Sequence, residues 1–257
     1  LNTEDTVAQV VIPHYHNKFF KNHSWETIHQ GHFFFDKREY SYSILKESAS
    51  ELGFDLFITE IPELLKEELP YGYANDVKRH LGFQICVADW LRKREQLPDV
   101  VHCHDHPTGL LPFIMNYCYL YESLKKIPTV FTIHSGQYQG QFSVGQLHLI
   151  PHYDEWKQGM LEWNNTINPM ACAIKCCWRF TTVSPGYLRE LKQSALGLES
   201  LIVSEQKKGI GILNGIDTDV WNPETDKWME AQYNTETASE GKSKNKAALC
   251  RVFNLDP

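Results

Sequence analysis

The chain has 257 residues, of which 42% are hydrophobic and 22% are charged, and its formal net charge is −7. This composition excludes a wholly disordered protein and is typical of a globular fold with one large domain, or with one domain and part of another. The negative charge gives no reason to expect nucleic acid or an anionic membrane as a partner.

The N-terminal residues and the cysteine spacing indicate a cytoplasmic protein. No basic segment followed by an apolar run begins the chain, and the longest uncharged run, residues 110–121, is too short to span a bilayer. The seven cysteines are scattered, without the C-x-x-C spacing of a zinc ribbon or a thioredoxin-type redox pair. We therefore expect reduced thiols, no membrane contact and a cytoplasmic location.

Strands and helices are predicted to alternate along most of the chain. Two of the strands, 32–35 and 40–45, alternate polar and apolar residues around a short charged turn, which predicts a hairpin. The first long helix begins at Asn75 or Asp76 and has apolar residues at helical spacing as far as residue 91. The other strands are predicted at residues 7–12, 54–61, 100–104, 129–133, 180–183 and 210–213, and the other helices at residues 109–126, 160–178, 186–192 and 247–253.

This order of elements predicts an α/β fold with a doubly wound, mostly parallel, Rossmann-like sheet. We expect residues 1–218 to form this domain, without the first βα unit with which such a sheet would begin. Residues 224–247 are polar and of mixed charge, and they are too few to bury a core of their own. Residues 219–257 are therefore expected to form a connection and the start of a second domain.

Two apolar runs end abruptly on ionisable residues. Residues 100–106 read Val-Val-His-Cys-His-Asp-His, and residues 130–134 read Val-Phe-Thr-Ile-His. Buried parallel strands read as continuous apolar runs, and ligands bind beyond their carboxyl ends, so the pattern predicts a site built from Asp105 and His134. Structural roles are also open to both residues, since Asp105 could cap backbone N–H groups and His134 could be a hydrogen-bonded core histidine.

The loops after these strands extend the candidate site. Residues 106–109 can bring backbone close to a ligand, because the glycine at position 109 has no Cβ. Residues 135–140 place amide and phenol side chains between two glycines, an arrangement that suits the binding of hydroxyl groups. Asn214 and Gly215 follow the last predicted strand and are by themselves only a tight-turn signal.

His102, His104 and His106 alternate along a predicted strand and would share one side of it. An H-x-H pair at a strand end is one way to hold zinc, so a metal-dependent hydrolase is one alternative function. Pro107 would end the strand before His106, and the histidines could instead hydrogen-bond the backbone. No second cluster of ligands stands out, and we expect no metal and no other cofactor.

The ordered motifs resemble one family, the bacterial glycogen synthases and plant starch synthases. These are retaining glucosyltransferases of the GT-B fold, in which two Rossmann-like domains face each other across a cleft. The matching stretches are residues 99–105 (Asp-Val-Val-His-Cys-His-Asp), 128–134 (Pro-Thr-Val-Phe-Thr-Ile-His) with 138–140 (Tyr-Gln-Gly), 181–185 (Thr-Thr-Val-Ser-Pro), 211–217 (Gly-Ile-Leu-Asn-Gly-Ile-Asp), 221–223 (Trp-Asn-Pro) and the Tyr-containing helix start at 73–79.

The resemblance implies that the chain is the N-terminal, acceptor-side half of such an enzyme. It assigns Asp105 and His134 to the donor-glucose pocket as catalytic residues, with His134 contacting the transferred sugar. The implied reaction moves glucose from ADP-glucose to the 4-hydroxyl at the nonreducing end of an α-1,4-glucan, with retention of configuration and without a metal. Asn214 matches a residue of the interdomain cleft, and the other substrate-binding residues implied are His106, Ser135, Tyr138, Gln139 and Tyr73.

The chain departs from the family pattern at several points. His106 stands where the family commonly has Trp, and Ser135 stands where it commonly has Asn, so both change the pocket wall. The Lys-Thr-Gly-Gly-Leu loop of the family does not occur, and neither does the nucleotide-binding C-terminal GT-B domain. We therefore expect these residues to bind glucan weakly and to catalyse nothing alone. A non-catalytic glucan-binding module is the second alternative function.

Overall fold

The computed structural model describes residues 6–49 and 52–256. The chain divides into two compact units, Leu1–Ile212 and Leu213–Pro257. Within the described residues, the strands of the first unit are β1 (Gln9–Pro13), β2 (Trp25–Phe35), β3 (Arg38–Glu47), β4 (Asp55–Glu60), β5 (Val101–His104), β6 (Thr129–Ile133), β7 (Glu162–Trp163), β8 (Thr166–Ile167), β9 (Arg179–Thr182) and β10 (Gly209–Gly211). The helices are α1 (Lys18–Asn22), α2 (Asp76–Lys93), α3 (Leu111–Tyr117), α4 (Pro169–Cys176), α5 (Pro185–Leu191) and α6 (Glu199–Ser204), with α7 (Ala238–Phe253) in the second unit.

Two four-stranded sheets organise the first unit. One is entirely parallel and has the strand order β10-β9-β6-β5. The other has the order β1-β4-β3-β2, in which β1 and β4 are parallel and β3 is antiparallel to both of its neighbours. The predicted α/β class with a mostly parallel sheet is confirmed, and the hairpin predicted from residues 32–45 is confirmed as β2 and β3.

Helix α2 forms where the sequence predicts it and packs against β2, β4 and α3. Its apolar positions Leu81, Ile85 and Ala88 are almost fully buried, so the helical spacing of these residues does mark the face towards the core. The start of the helix is fixed by Asp76, whose carboxylate accepts the backbone N–H of Tyr73 at 3.0 Å. Its end carries Asp89, which is buried and bonded to neighbouring cations.

The prediction of a single helix over residues 160–178 is wrong in its first half. The chain there forms the β7–β8 hairpin, whose turn residues Asn164 and Asn165 have left-handed φ angles of 50° and 59°. Asparagine tolerates this conformation, and two such residues in succession interrupt a helix. Helix α4 begins only after Asn168, whose side-chain oxygen accepts the Ala171 N–H at 3.0 Å.

Other helix limits also differ from the prediction. Helix α3 ends at Tyr117, and a 3₁₀ helix, Tyr119–Leu124, continues the chain towards the next strand. Helix α7 begins at residue 238 instead of 247. The prediction missed its first turns because they are polar and carry little hydrophobic periodicity. An ion pair of 2.6 Å between Glu240 and Lys244 stabilises these turns at i, i+4 spacing. Within the described part of the chain, no helix is both long enough and apolar enough to cross a membrane.

Candidate functional site

The carboxyl ends of β5 and β6 lie side by side and carry the two residues predicted as catalytic. His104 pairs with Thr132 in the parallel register, and the Asp105 N–H continues the ladder by donating to the Thr132 carbonyl at 3.0 Å. The Asp105 carboxylate accepts the backbone N–H of His134 through Oδ1 at 2.9 Å. The structure therefore brings Asp105 and His134 into direct contact at the edge of the sheet where ligands of such folds bind.

The backbone of Asp105 has an unusual conformation. Its φ is 53° and its ψ is −178°, a combination that residues other than glycine rarely adopt. Such a conformation costs about 1–3 kcal/mol and persists only where surrounding contacts enforce it. Here the enforcing contacts are the N–H bond to Thr132 and the carboxylate bond to His134. Strained residues cluster at functional sites, and no pattern in the sequence indicates this one.

Three histidines lie close together at these strand ends. The ring centroids of His102 and His104 are 4.1 Å apart, and those of His104 and His134 are 5.3 Å apart. Nδ1 of His104 lies 3.0 Å from Nε2 of His134, which is a hydrogen-bond distance. Nε2 of His102 lies 2.6 Å from the Thr132 hydroxyl, which in turn lies 2.6 Å from the Thr181 hydroxyl. A row of polar contacts thus joins the side chains on this face of β5, β6 and β9.

His102 and His104 are uncharged near neutral pH. Burial, together with the neighbouring His102 and His134, lowers the pKa of His104 to about 4. Burial and the nearby His134 also lower the pKa of His102. A neutral imidazole has one donor nitrogen and one acceptor nitrogen, so each of these rings can make directed hydrogen bonds.

This arrangement gives no support to the metal-dependent hydrolase. Among residues 6–49 and 52–256, no group of three or more His, Cys, Asp or Glu side chains is arranged to hold a metal ion. Nε2 of His102 and Nδ1 of His104 already contact Thr132 and His134. The alternation of the two histidines along β5 places their rings near each other and leaves these nitrogens directed at protein partners.

His106 forms a wall of a cavity of about 200 Å³ next to Asp105. It begins a short 3₁₀ helix, and its ring contacts that of His80 edge-on, with 5.6 Å between the centroids. Gly140 packs so closely on it that a Cβ at position 140 would lie 2.6 Å from His106 Cδ2. Burial and the neighbouring His80 lower the pKa of His106. The other polar side chains that line the cavity are those of Asp76, His80, Gln84 and Gln141.

The loop over residues 135–140 is held in place by the buried amide of Gln139. Its Nε2 donates to the Ala195 carbonyl at 3.0 Å, and its Oε1 accepts from Asn168 Nδ2 at 2.8 Å. Ser135 is half-buried at the start of this loop, directly after His134. Gln139 therefore positions the loop, and direct contact of Gln139 or Ser135 with a substrate stays a prediction.

Two exposed tyrosines meet beside this loop. Tyr138 is 65% exposed and stacks on Tyr71, which is 61% exposed, with 6.5 Å between the ring centroids and 18° between the ring planes. Tyr73 lies two residues further along the chain, and the Arg79 guanidinium sits over its ring at 4.7 Å. Tyr138 and Tyr73 were among the residues predicted from the sequence, whereas Tyr71 was not, although its spacing from Tyr73 was an available signal.

Sequence reasoning also missed the contact between His104 and His134. The roles considered for His104 were a metal ligand and a hydrogen bond to the backbone, whereas the in-register pairing of β5 with β6 could have indicated a partner on the next strand. Asn214 belongs to the second unit, while the other predicted site residues belong to the first. The place of Asn214 in an interdomain cleft stays a prediction.

Comparisons with known proteins agree on one family. A family model described as the starch synthase catalytic domain matches residues 1–204. The glycogen synthase of Flavobacterium johnsoniae is 47% identical over 250 residues, which are 97% of this chain and 53% of that protein. A glycogen synthase of Streptococcus pneumoniae is 38% identical over 185 residues, which are 70% of this chain and 38% of that protein.

A solved structure shows the same relationship. The catalytic domain of starch synthase IV from Arabidopsis thaliana, bound to ADP and acarbose, matches with a TM-score of 0.78 at 28% identity, over 96% of this chain and 52% of that chain. The chain thus spans about half the length of the Flavobacterium relative and of the solved domain. The resemblance to glycogen and starch synthases, and the fold class that it implied, are confirmed. The chain belongs to the starch synthase catalytic domain family.

Proposed function

We propose that the protein containing this chain is a retaining glucosyltransferase that transfers glucose from ADP-glucose to the nonreducing end of an α-1,4-glucan. Residues 1–218 would be its acceptor-side Rossmann-like domain, and residues 219–257 would lead into a C-terminal GT-B domain. The glycogen synthase relatives support glucosyl transfer. The ADP and acarbose bound to the Arabidopsis protein support a nucleotide-sugar donor and a glucan acceptor.

The observation that carries this proposal is the hydrogen bond between the Asp105 carboxylate and the His134 N–H. It links the ends of two adjacent parallel strands, and it depends on a strained backbone at Asp105. A contact that served only to close the sheet would not require this strain, because the backbone hydrogen bonds between β5 and β6 already extend as far as the Asp105 N–H without the carboxylate. This supports a role for the pair as a preformed site.

The chemistry of glucosyl transfer explains why these residue types are useful. The transition state carries positive charge at the sugar ring, while the leaving diphosphate carries negative charge. Rigid hydrogen-bonding groups stabilise such a state because they need no reorganisation when the charge develops. His134 would contact a hydroxyl of the transferred glucose, and Asp105 would hold His134 and the sugar in the reactive orientation. The proposed substrate-binding residues around them are His106, Ser135, Tyr138, Gln139, Tyr73 and Asn214, and no metal or other cofactor takes part.

The experiment that tests this function is a kinetic comparison of His134→Ala with wild type in the full-length gene product. Glucose transfer from labelled ADP-glucose to glycogen should fall in kcat by about 100-fold or more, as for the loss of a transition-state contact. The KM for glycogen should stay within about threefold. His148→Ala is the matched control, because His148 is 52% exposed, contacts Asp36 in the turn between β2 and β3, and is not one of the predicted site residues.

Other outcomes would favour a different function. Equal losses in kcat and in glucan affinity would indicate that His134 only positions the acceptor. Strong glucan binding without any transfer by the full-length protein would support the non-catalytic glucan-binding module. The 257-residue chain alone is expected to bind glucan weakly and to transfer no glucose, so elongation of glucan by the isolated chain would contradict the proposed role of the C-terminal domain.

A further inference from the structure

We propose that His104 is a positioning residue that fixes the imidazole of His134 in its Nε2–H tautomer. Nδ1 of His134 is then left unprotonated, as a hydrogen-bond acceptor at the strand ends. The tautomer follows from the geometry of this chain, whereas its consequence for catalysis rests on the proposed glucosyltransferase function.

The rings of His104 and His134 are in direct contact. Nδ1 of His104 and Nε2 of His134 are 3.0 Å apart, so one nitrogen must carry a hydrogen and the other a lone pair. Both rings are attached to fixed backbone, since His104 lies in the β5–β6 ladder and the His134 N–H is bonded to Asp105. The contact is therefore part of the folded structure of the strand ends.

The hydrogen bond between the two rings has two possible directions. If Nδ1 of His104 donated, both rings would have to carry their hydrogen on Nδ1. If Nε2 of His134 donates, both rings carry it on Nε2, which is the tautomer that a free neutral imidazole side chain prefers. No other hydrogen bond to either ring opposes this preference among the contacts described for residues 6–49 and 52–256. The pair therefore has His134 as donor and His104 as acceptor.

The contact also requires one charge state of His104. A protonated His104 would have no lone pair on Nδ1, so it could not accept the hydrogen bond. The groups that face it are the His102 ring at 4.1 Å on its own strand and His134 at the end of β6, whose N–H is bonded to Asp105. Although His104 is exposed at the strand end, partial desolvation and the two neighbouring histidines lower its pKa to about 4, so the ring is neutral near pH 7. His102 is itself held by Thr132. The histidine cluster thus supplies a neutral acceptor.

This arrangement has a consequence for the proposed reaction. With Nε2–H engaged, His134 has Nδ1 available to accept a hydrogen bond from a sugar hydroxyl. The hydroxyl would then be oriented with its hydrogen towards His134 and its oxygen lone pairs away from His134. His104 would touch neither substrate nor the reacting atoms, and it would act through His134 alone.

The tautomer can be measured on the chain itself by ¹⁵N NMR of its histidines at neutral pH, with His134 assigned by its substitution. We expect His134 to carry its hydrogen on Nε2 in the wild type. His104→Phe removes the acceptor, so the Nδ1–H tautomer should appear as a minor form beside the Nε2–H form that a free imidazole prefers, while His104→Asn places an amide oxygen close to the position of Nδ1 and should restore the wild-type state. A wild-type His134 with its hydrogen on Nδ1 would overturn the proposal, even if His104→Phe failed to fold, and a folded His104→Phe with the wild-type tautomer population would show that His104 does not fix it.

The catalytic consequence needs the full-length gene product. His104→Phe should lower kcat by about tenfold or more with a smaller change in KM, because His134 would lose both its single tautomer and the contact that fixes its ring orientation. His104→Asn should recover most of the loss. A kcat within about twofold of wild type for His104→Phe would show that the tautomer is not used in turnover. If the wild-type enzyme transferred no glucose at all, the proposed function would fail while the NMR result would still decide the tautomer.

Discussion

Replacing His14 by phenylalanine should reduce the amount of unfolding free energy that the protein loses in acid. His14 is only 3% exposed and lies between the rings of His16 and Phe20, at centroid distances of 4.0 and 3.7 Å. Both of its ring nitrogens are buried without a hydrogen bond, although Glu60 Oε1 lies 3.4 Å from Nδ1. Burial, with a smaller effect of His16, lowers the pKa of His14 from 6.5 to about 4. A phenyl ring would fill the same space without a group that titrates.

The sign of the effect follows from where the protons bind. Because the pKa of His14 is lower in the folded state, the unfolded chain takes up a proton below pH 6.5, while the folded chain resists it down to about pH 4. The stabilising contribution of neutral His14 is therefore complete above pH 6.5 and is lost as the pH falls through this window. Between pH 7.5 and pH 5 the loss from this one group amounts to about 2 kcal/mol.

Urea unfolding followed by tryptophan fluorescence at pH 7.5 and at pH 5 measures this quantity. The difference in unfolding free energy between the two pH values should be smaller in His14→Phe than in wild type by about 2 kcal/mol. His32→Phe is the control, because His32 is exposed on β2 and should leave the wild-type difference in place. An acid-induced loss in His14→Phe equal to that of wild type would refute the reasoning from burial.

Two further substitutions test contacts near the site and in the core, and urea unfolding measures both. Gly140→Ala should lower the unfolding free energy by about 1–3 kcal/mol, because φ is +72° and the new Cβ would lie 2.6 Å from His106 Cδ2. Gly53→Ala has the same φ but no atom within 4 Å of its Cβ, so equal losses would show that His106 does not constrain the loop. Asp89→Asn should cost about 2 kcal/mol, because the buried carboxylate accepts the Tyr42 hydroxyl at 2.8 Å and pairs with two cations. An unchanged unfolding midpoint for Asp89→Asn would contradict this account of the network.

The parallel sheet and the Asp105–His134 pair could be predicted from the sequence for the same physical reason. A strand that is covered on both faces must be apolar along its length, so the first ionisable residues mark the point where it leaves the core. Residues 100–106 and 130–134 both show this break, and parallel pairing brings their ends to one edge. Predicting a site from such a break requires only the local sequence of each strand and the parallel direction of their pairing.

The features that the sequence analysis missed depend on distant parts of the chain. The stacking of Tyr71 on Tyr138 joins two loops that are more than sixty residues apart, and neither loop has a periodic pattern. The hairpin at Asn164 interrupted a predicted helix because a left-handed turn overrode the apolar spacing on both sides of it. The direction in which His104 points depends on its pairing with β6, which the sequence of β5 alone does not contain.

The backbone of Asp105 shows why the strands could be predicted from the sequence more completely than the geometry of the candidate site. A glycine would adopt this left-handed conformation with less strain, but it would remove the carboxylate that accepts the His134 N–H. An ordinary extended residue would continue β5 and would not begin the 3₁₀ helix that carries His106 to the cavity wall. Asp105 keeps the side-chain acceptor at this position in spite of the strained backbone. Packing therefore accounts for the strand, while the identity of the residue at its end is explained by the contact it makes with the neighbouring strand.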